Sequence, residues 1–275
     1  MLEILEFMAA PFAACVILVG IHAYLGLHVL LREVIFVDLA LAQIAAFGSV
    51  VALVVAHQEP GTLAAYTFSL GATVVGAAIF ASTRMRENRV PQEAIIGITF
   101  VIASAATILL ADRAPEGAEQ IKELLAGAIL WVSWKKVITV AIVYAVLGVF
   151  HYRLRRRFVL ISEDPDRAFS QGWNVRLWDF LFYLSFGVVI TLSVEMAGVL
   201  MVFSFLVAPA IIALAWSKGW PMRILLANAV GVLASALGLF ASYQWDLPSG
   251  PAIVCVLGLF LILFALSRLT LRRLA

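Results

Sequence analysis

Charged residues are scarce in this 275-residue chain, and their scarcity excludes most classes of soluble protein. Only 13% of the residues are Asp, Glu, Lys or Arg and 64% are hydrophobic, against roughly 25% and 45–50% in an average soluble domain. At roughly 20 residues for each membrane-spanning helix, the chain has room for about nine spans and for no large nucleotide-hydrolysing domain. A formal net charge of +2 creates no field that would gather nucleic acid.

Cysteines and catalytic motifs are also lacking. Cys15 and Cys255 each lie alone in an apolar run, so neither a disulfide nor a structural metal site is indicated. The sequence has no GxSxG, HExxH or Walker-type GxxxxGKS/T motif, and its four histidines are not spaced with carboxylates as metal ligands. These absences predict that the chain is not an enzyme.

Long apolar runs are what the sequence has instead. Nine runs are separated by charged residues or by Pro and Gly, near residues 7–31, 34–56, 62–83, 92–111, 134–152, 178–194, 197–216, 222–243 and 249–267. Each run is long enough for one span, which predicts an all-α polytopic membrane protein with a single transmembrane domain over 1–275. Glu195 and Pro209 interrupt the stretch 178–217, so eight spans with a broken or re-entrant helix near 195–217 are the alternative.

Basic residues orient the spans, because Lys and Arg are retained on the cytoplasmic side of a membrane. Most of them fall in alternate loops, with clusters at 84–89, 153–176 and 268–273. With nine spans, the N-terminus is then external and the C-terminus cytoplasmic. His28 is predicted at the cytoplasmic interface, and Glu93 and Asp179 are interpreted as negative charges at helix starts.

Two stretches outside the spans are predicted to form short helices. Apolar residues recur at i, i+3, i+4, i+7 and i+8 from Ile121 to Ile129, which indicates an external amphipathic helix at 116–130. The second stretch, 153–177, is the longest cytoplasmic loop. Asp164-Pro165 is typical of a helix start and Gly172 of a helix end, which favours a short helix on which a cytoplasmic partner could press. A solvated loop is the competing interpretation.

Six stretches, taken in order, resemble one family of transport proteins. The stretches are 29–48, 93–98, 124–130, 161–172, 197–210 and 242–251. They include Asp164-Pro165 with Ala168 and Gly172, and the run that ends in Ala208-Pro209-Ala210. Apolar helices resemble one another by chance, but six matches in the correct order are specific. The chain therefore resembles the ABC-3 permeases, the membrane subunits of bacterial ATP-driven importers for zinc, manganese and iron.

The resemblance implies a permease domain that pairs with a second copy of itself in the lipid bilayer of the bacterial cytoplasmic (inner) membrane. It implies that separate cytoplasmic ABC ATPase subunits bind and hydrolyse ATP, so that this chain binds no cofactor, and that an external or periplasmic substrate-binding protein delivers the cargo. The residues that would couple to the ATPase are Ser162, Glu163, Asp164, Pro165, Ala168 and Gly172.

The second span departs from the family at the residues that meet the cargo. The family places an Asp and a His four residues apart on one helix face, whereas the corresponding residues here are Leu39 and Gln43. Asp38 supplies an acid one residue earlier, but on a regular helix it points about 140° away from Gln43. Ala128 likewise stands where the family's external helix has an Asp.

The candidate cargo-path residues are Asp38, Gln43 and Glu195, with Ala46 in the same second span. Hydrogen bonding between helices is the alternative role for Asp38 and Gln43, and a helix end at the external interface is the alternative for Glu195. A neutral amide is a poor ligand for zinc. The expected cargo is therefore a divalent transition metal ion (zinc, manganese or iron), a metal chelate or another small solute.

An ion- or proton-coupled secondary transporter is the alternative class of function. In that class Asp38, Glu195 and His22 would form a proton relay inside the membrane. Such a carrier needs no docking helix at 162–172, so the role of that segment separates the two hypotheses.

Overall fold

The structure is a computed structural model, and every regular element among its described residues is a helix. It describes residues 2–59, 61–84, 90–113, 127 and 129–274, with 2–5 and 270–274 described by their backbone alone. The elements are α1 (Leu2–Leu31), α2 (Val37–Ala56), α3 (Leu63–Thr83), α4 (Gln92–Ala111), a 3-10 turn (Ile129–Trp131), α5 (Trp134–Arg153), α6 (Arg155–Glu163), α7 (Pro165–Ser170), α8 (Val175–Trp216), α9 (Trp220–Trp245) and α10 (Ser249–Leu274).

Helix length and composition confirm the predicted all-α polytopic membrane fold. In the described part of the chain, eight helices are long and apolar enough to cross a bilayer, namely α1 to α5 and α8 to α10. The two that are not, α6 and α7, are 9 and 6 residues long. They lie within the predicted cytoplasmic loop 153–177.

The helix α8 contains the predicted break. It is 42 residues long, and Gly198 within it has a non-helical backbone with φ 75° and ψ 159°. Glycine adopts a positive φ readily because it has no Cβ. An unbroken helix of this length would measure about 63 Å, roughly twice the hydrocarbon thickness of a bilayer. Among the described residues, counting α8 once gives eight candidate membrane helices, and counting 175–197 and 199–216 separately gives nine.

Local sequence explains how α2 ends and α3 begins. His57 follows α2 in the left-handed region with φ 52°, and its N–H donates to the Ala52 carbonyl. Thr62 then caps α3, because its Oγ1 accepts from the Ala65 N–H at 3.2 Å, as is common for Thr at this position. The short connection between these residues contributes to the cavity described below.

The chain folds into two compact units, each assembled from segments that are distant in sequence. Unit I comprises Met1–Leu27, Ala126–Ile142 and Met196–Ala275, and unit II comprises His28–Leu125 and Val143–Glu195. The single permease domain predicted for 1–275 stays a prediction.

In unit II, α2 packs against both α3 and α4. Gly48 allows the close approach of α2 to α3, since a Cβ built there would lie 2.7 Å from the Ser69 Cα. The largest fully buried side chains of this unit are aromatic, namely Phe80, Phe158, Phe182, Tyr183 and Phe186. Aromatic side chains bury large apolar areas and pack edge to face, so this core holds the short α6 against the membrane helices of the same unit.

In unit I, α9 packs against α10. The buried residues of α9 are mostly small, including Ala227, Ala234 and Ser235. Small side chains allow the backbones of membrane helices to approach closely. At the loop after α9, Ser242 Oγ and Ser249 Oγ lie 2.7 Å apart, which ties the two helix ends together.

The predicted external helix at 116–130 lies outside the described residues except for Gly127, Ile129 and Leu130. Ile129 and Leu130 belong to the 3-10 turn that precedes α5. Ala128 also lies outside the described residues, so the predicted loss of an acidic residue there stays a prediction.

Candidate functional site

The predicted coupling segment contains a short helix that begins where the sequence indicates. The Asp164 carboxylate accepts from the Arg167 N–H at 2.9 Å, and Pro165 is the first residue of α7. An Asp at this position and a Pro at the next satisfy and pre-organise the first helical turn. The helix ends at Ser170, and Gly172 follows with φ 73°. The solvated-loop alternative is therefore wrong for Pro165–Ser170, whereas the coupling role stays a prediction.

One face of α7 is anchored in unit II and the rest is exposed. Ala168 is fully buried in a cluster with Ile161 and Val175, and Trp173 and Trp178 pack against the cluster. Asp166 and Ser170, on the same helix, are exposed. α7 is therefore a short surface helix that is held on one side by buried contacts.

The predicted coupling residues do not share one environment. Glu163, Asp164 and Gly172 are exposed, whereas Ser162 is only 2% exposed and bonds to the side chains of His28 and Arg32. A partner pressing on α7 would therefore meet the exposed residues directly and Ser162 only through the fold of unit II.

A cavity of about 60 Å³ lies within unit II, between α2, α3 and the first segment of α8. Its lining is Ala45, Ala46, Ser49, Gly61, Thr62, Ala65, Tyr66, Ser69, Thr191, Val194 and Glu195. Among these residues the one acidic side chain is Glu195, which is exposed. The other polar side chains of the lining carry hydroxyl groups. All the side-chain atoms that could bind a cation in this cavity are therefore oxygens.

The structure brings two of the four candidate cargo-path residues to this cavity. Ala46 and Glu195 line it, but Asp38 and Gln43 are not among the lining residues. α2 is a regular helix over Val37–Ala56, so Asp38 and Gln43 point about 140° apart, as the spacing predicts. They therefore do not form one site with each other.

Asp38 is nonetheless unusual in its surroundings. It is 1% exposed, and in the described part of the chain neither of its carboxylate oxygens has a hydrogen-bond partner. A buried charge without a partner is costly in a membrane. The carboxylate lies in the first turn of α2, where the positive end of the helix dipole favours a negative group.

His22 of the alternative proton relay bonds within its own helix. Its Nδ1 donates to the Leu18 carbonyl at 2.7 Å. It belongs to unit I, whereas Asp38 and Glu195 belong to unit II. The described residues also contain no group of three or more His, Cys, Asp or Glu side chains placed to hold a metal ion.

Sequence reasoning missed an ionic cluster in unit II. Asp179 is 0% exposed and forms ion pairs with Arg32 at 2.6 Å and with Arg84 at 3.2 Å. The interpretation of Asp179 as merely a charge at a helix start is therefore incomplete. His28 is fully buried and bonds to Ser162, and its predicted position at the cytoplasmic interface stays a prediction. In the sequence, Arg32, Arg84 and Asp179 appear only as two basic residues and one acidic residue at predicted span ends.

The helices, their hydropathy and the broken α8 define a polytopic α-helical membrane protein. The chain matches the model of the ABC 3 transport family over residues 4–267, and it belongs to that family.

Individual relatives agree with this assignment. The chain is 27% identical over 207 residues to the manganese transport system membrane protein MntB of Synechocystis sp., an alignment that covers 75% of this chain and 66% of that protein. The chain thus spans just under two thirds of that relative's length. It is 28% identical over 211 residues to the manganese import system permease protein ScaB of Streptococcus gordonii, covering 74% and 72%.

A solved structure shows the same fold. The structure of PsaBC from Streptococcus pneumoniae in complex with Fab aligns with a TM-score of 0.78 at 19% identity, and the alignment covers 96% of this chain and 93% of that chain.

Proposed function

We propose that this chain is the membrane-spanning subunit of an ATP-binding-cassette importer, acting as a pair with a second copy of itself. ATP is bound and hydrolysed by separate cytoplasmic subunits, and an external or periplasmic binding protein delivers the cargo. The supporting observation is the α6–α7 segment, because a six-residue helix with one buried face and one exposed face suits transmission of a partner's movement. Family membership supports the same proposal.

The proposed cargo is a divalent transition metal ion, with Mn²⁺ favoured over Zn²⁺. Two relatives are named as manganese transport proteins. Carboxylate, carbonyl and water ligands suit Mn²⁺, whereas Zn²⁺ prefers imidazole and thiolate. Glu195 and the hydroxyl groups of the cavity supply oxygen donors, and Gln43 replaces the family's His. A metal chelate is the alternative cargo, since this lining leaves most of the coordination shell to water or to a chelator.

In the proposed cycle, the paired subunits alternate between states open to each side of the membrane. Cargo passes the second span near Ala46 and Glu195, and Asp38 and Gln43 contact it at other points of the path. Movement of the ATPase reaches the spans through Glu163, Asp164, Pro165, Ala168 and Gly172. The subunit lies in the bacterial cytoplasmic membrane with its C-terminus in the cytoplasm.

Co-purification tests the class of function. The tagged chain is isolated from its own membranes in mild detergent, and an ATP-hydrolysing subunit in stoichiometric amount is expected. The complex is then reconstituted with the binding protein, and ATP hydrolysis is measured with MnCl₂, ZnCl₂ or ferric citrate as the probe. Stimulation by MnCl₂ supports the proposed cargo, and stimulation by the citrate complex alone assigns a chelate.

A secondary transporter predicts a different result from the same preparation. The chain would purify without an ATPase, and its vesicles would accumulate ⁵⁴Mn²⁺ under an imposed proton gradient with no ATP. That outcome would overturn the proposal and return Asp38, Glu195 and His22 to the role of proton-relay candidates.

A further inference from the structure

Ser162 is held by three hydrogen bonds through a single hydroxyl group. Its Oγ donates to the Phe158 carbonyl at 2.9 Å and accepts from Arg32 Nε at 2.8 Å. His28 Nδ1 lies 2.7 Å from the same oxygen. A hydroxyl has one proton and two acceptor sites, and the carbonyl already takes the proton. His28 therefore donates from Nδ1, and the hydrogen-bonding capacity of Ser162 is full.

The Arg32 side chain continues from Ser162 into the ionic cluster. Its Nη1 donates to Asp179 Oδ1 at 2.6 Å, and Arg84 Nε lies 3.2 Å from Asp179 Oδ2. The guanidinium carbon of Arg32 also lies 4.0 Å from the centre of the Phe182 ring. A planar guanidinium can make such directed contacts on several sides at once, which a Lys ammonium cannot reproduce.

These contacts join four elements of unit II that are far apart in the chain. Ser162 belongs to α6, Arg32 follows α1, Arg84 follows α3, and Asp179 lies near the start of α8. The partners of the Ser162–Arg32 bond are 130 residues apart, and those of the Arg32–Asp179 pair are 147 residues apart. Ser162 is the second-last residue of α6 and lies two residues before Asp164, which caps α7, so α7 follows the cluster closely in the chain.

Aromatic packing limits how far α6 can move independently of the cluster. The His151 ring stacks on Phe158 at a centroid distance of 4.5 Å, and the Arg157 guanidinium lies 4.5 Å from the centre of the Trp178 ring. Phe158 is fully buried. A buried cluster of this kind resists continuous deformation, so a displacement of α6 would be passed on to its neighbours.

We infer that Ser162, Arg32 and Asp179 are positioning residues for ATP coupling, which transmit displacement of the surface helix α7 to the ends of α1, α3 and α8. This inference rests on the proposed function, since it presupposes an ATPase acting on α7. None of the three residues touches the cargo or the nucleotide in this scheme. Arg84 completes the cluster, which carries two cations and one anion.

Ser162→Ala tests whether Ser162 connects α7 to the ionic cluster, because the substitution removes the hydroxyl group with little change in side-chain volume. The whole transporter, with its ATPase and binding protein, is reconstituted in vesicles, and ⁵⁴Mn²⁺ uptake and ATP hydrolysis are measured in parallel. Loss of these hydrogen bonds is expected to lower the cargo moved per ATP roughly fivefold, while hydrolysis and assembly of the complex stay near the wild-type values. Ser235→Ala is the matched control, because Ser235 is equally buried and bonds to the Gly231 carbonyl of its own helix.

Arg32→Gln tests whether Ser162 acts through Arg32. This variant leaves Asp179 paired with Arg84, so no buried carboxylate loses all its partners. If the link runs through Arg32, the Ser162→Ala/Arg32→Gln double variant loses little more coupling than Arg32→Gln alone, because the two changes interrupt the same connection. The inference would be overturned if the two substitutions lowered the cargo moved per ATP independently, so that the double variant showed the product of the two single effects. It would also be overturned if Ser162→Ala moved as much cargo per ATP as the wild type.

The wild-type measurement separates this inference from the proposed function. If the wild-type chain assembles with no ATPase and moves no cargo with ATP, the proposed function has failed. If the wild type couples normally and all three variants couple equally well, the proposed function stands and the positioning role is wrong.

Discussion

Two regions of unit II differ sharply in how their polar groups are held. Around Ser162, every named contact is specific: three hydrogen bonds on one hydroxyl, two ion pairs on Asp179 and a guanidinium over an aromatic ring. Around the cavity, small side chains and hydroxyl groups surround a single exposed carboxylate, Glu195. The contacts around Ser162 fix one arrangement of side chains, whereas the cavity is a small open space with few groups that could bind a cation.

The difference suits the two tasks that we propose for these regions. A connection that transmits force must not yield, so it uses buried charges whose separation is expensive. A path that releases its cargo must bind weakly, and a few oxygen donors in a small space meet that need. Changes in the first region should therefore alter stability or coupling, whereas changes to the ligands in the second should alter uptake alone.

Asp179→Asn is expected to have the largest effect. It leaves Arg32 and Arg84 facing each other in a buried site with no anion, and breaking a buried pair in this way costs about 3–5 kcal/mol of unfolding free energy. The thermal unfolding midpoint of the detergent-solubilised complex measures the loss. Asp246→Asn is the control, because Asp246 is exposed and its φ of 51° suits Asn. Equal midpoints for the two variants would contradict a structural role for the cluster.

Gly48→Ala tests the wall of the cavity. A Cβ at this position would lie 2.7 Å from the Ser69 Cα, and forcing two packed backbones apart is expected to cost about 1–3 kcal/mol. Both the unfolding midpoint and ⁵⁴Mn²⁺ uptake should fall, since α2 and α3 line the cavity together. Gly71→Ala is the control, because a Cβ there meets no atom within 4 Å among the described residues. A variant as stable as Gly71→Ala would show that α2 and α3 tolerate wider spacing.

Glu195→Gln sharpens the comparison by changing the cavity without changing the fold. The side chain is exposed, so the unfolding midpoint should stay constant. Replacing the charge-assisted contact to a divalent cation with a neutral one is expected to lower uptake at limiting Mn²⁺ roughly tenfold. Glu59→Gln, an exposed residue outside the cavity lining, should transport normally. Equal uptake by both variants would remove Glu195 from the cargo path.

Much of the fold could be predicted from local patterns in the sequence. Apolar run length predicted the membrane helices, the interruption near Glu195 predicted the break that occurs at Gly198, and Asp164-Pro165 predicted the start of α7. Each of these features depends on residues within a few positions of one another. The sequence placed the break near Glu195 but did not single out Gly198, because other glycines lie inside apolar runs without interrupting a helix.

The ionic cluster could not be predicted by the same means. Arg32 and Arg84 look like ordinary cytoplasmic cations, because positive charge at span ends is expected of any membrane protein. Their pairing with Asp179 depends on chain packing over 147 residues in the case of Arg32. Likewise Ala46 and Glu195 share a cavity only because α2 and α8 meet, and no spacing rule separates them from Asp38 and Gln43, which lie outside its lining.

Asp164→Ala is expected to have the smallest effect, and it distinguishes the shape of α7 from its charge. The substitution removes the acceptor for the Arg167 N–H, which should fray the first turn of α7 and lower the cargo moved per ATP roughly twofold. Asp164→Asn is the matched control, because Asn caps helices about as well as Asp but carries no charge.

If the surface of α7 acts through its geometry, the Asn variant couples like the wild type while the Ala variant does not. If both variants lose coupling equally, the carboxylate itself contacts the partner, and the exposed side of α7 is recognised by charge rather than held in shape. In that case only the buried cluster around Ser162 would act by holding a fixed geometry. The exposed helix α7 would act as the cavity does, through the charge of a single carboxylate.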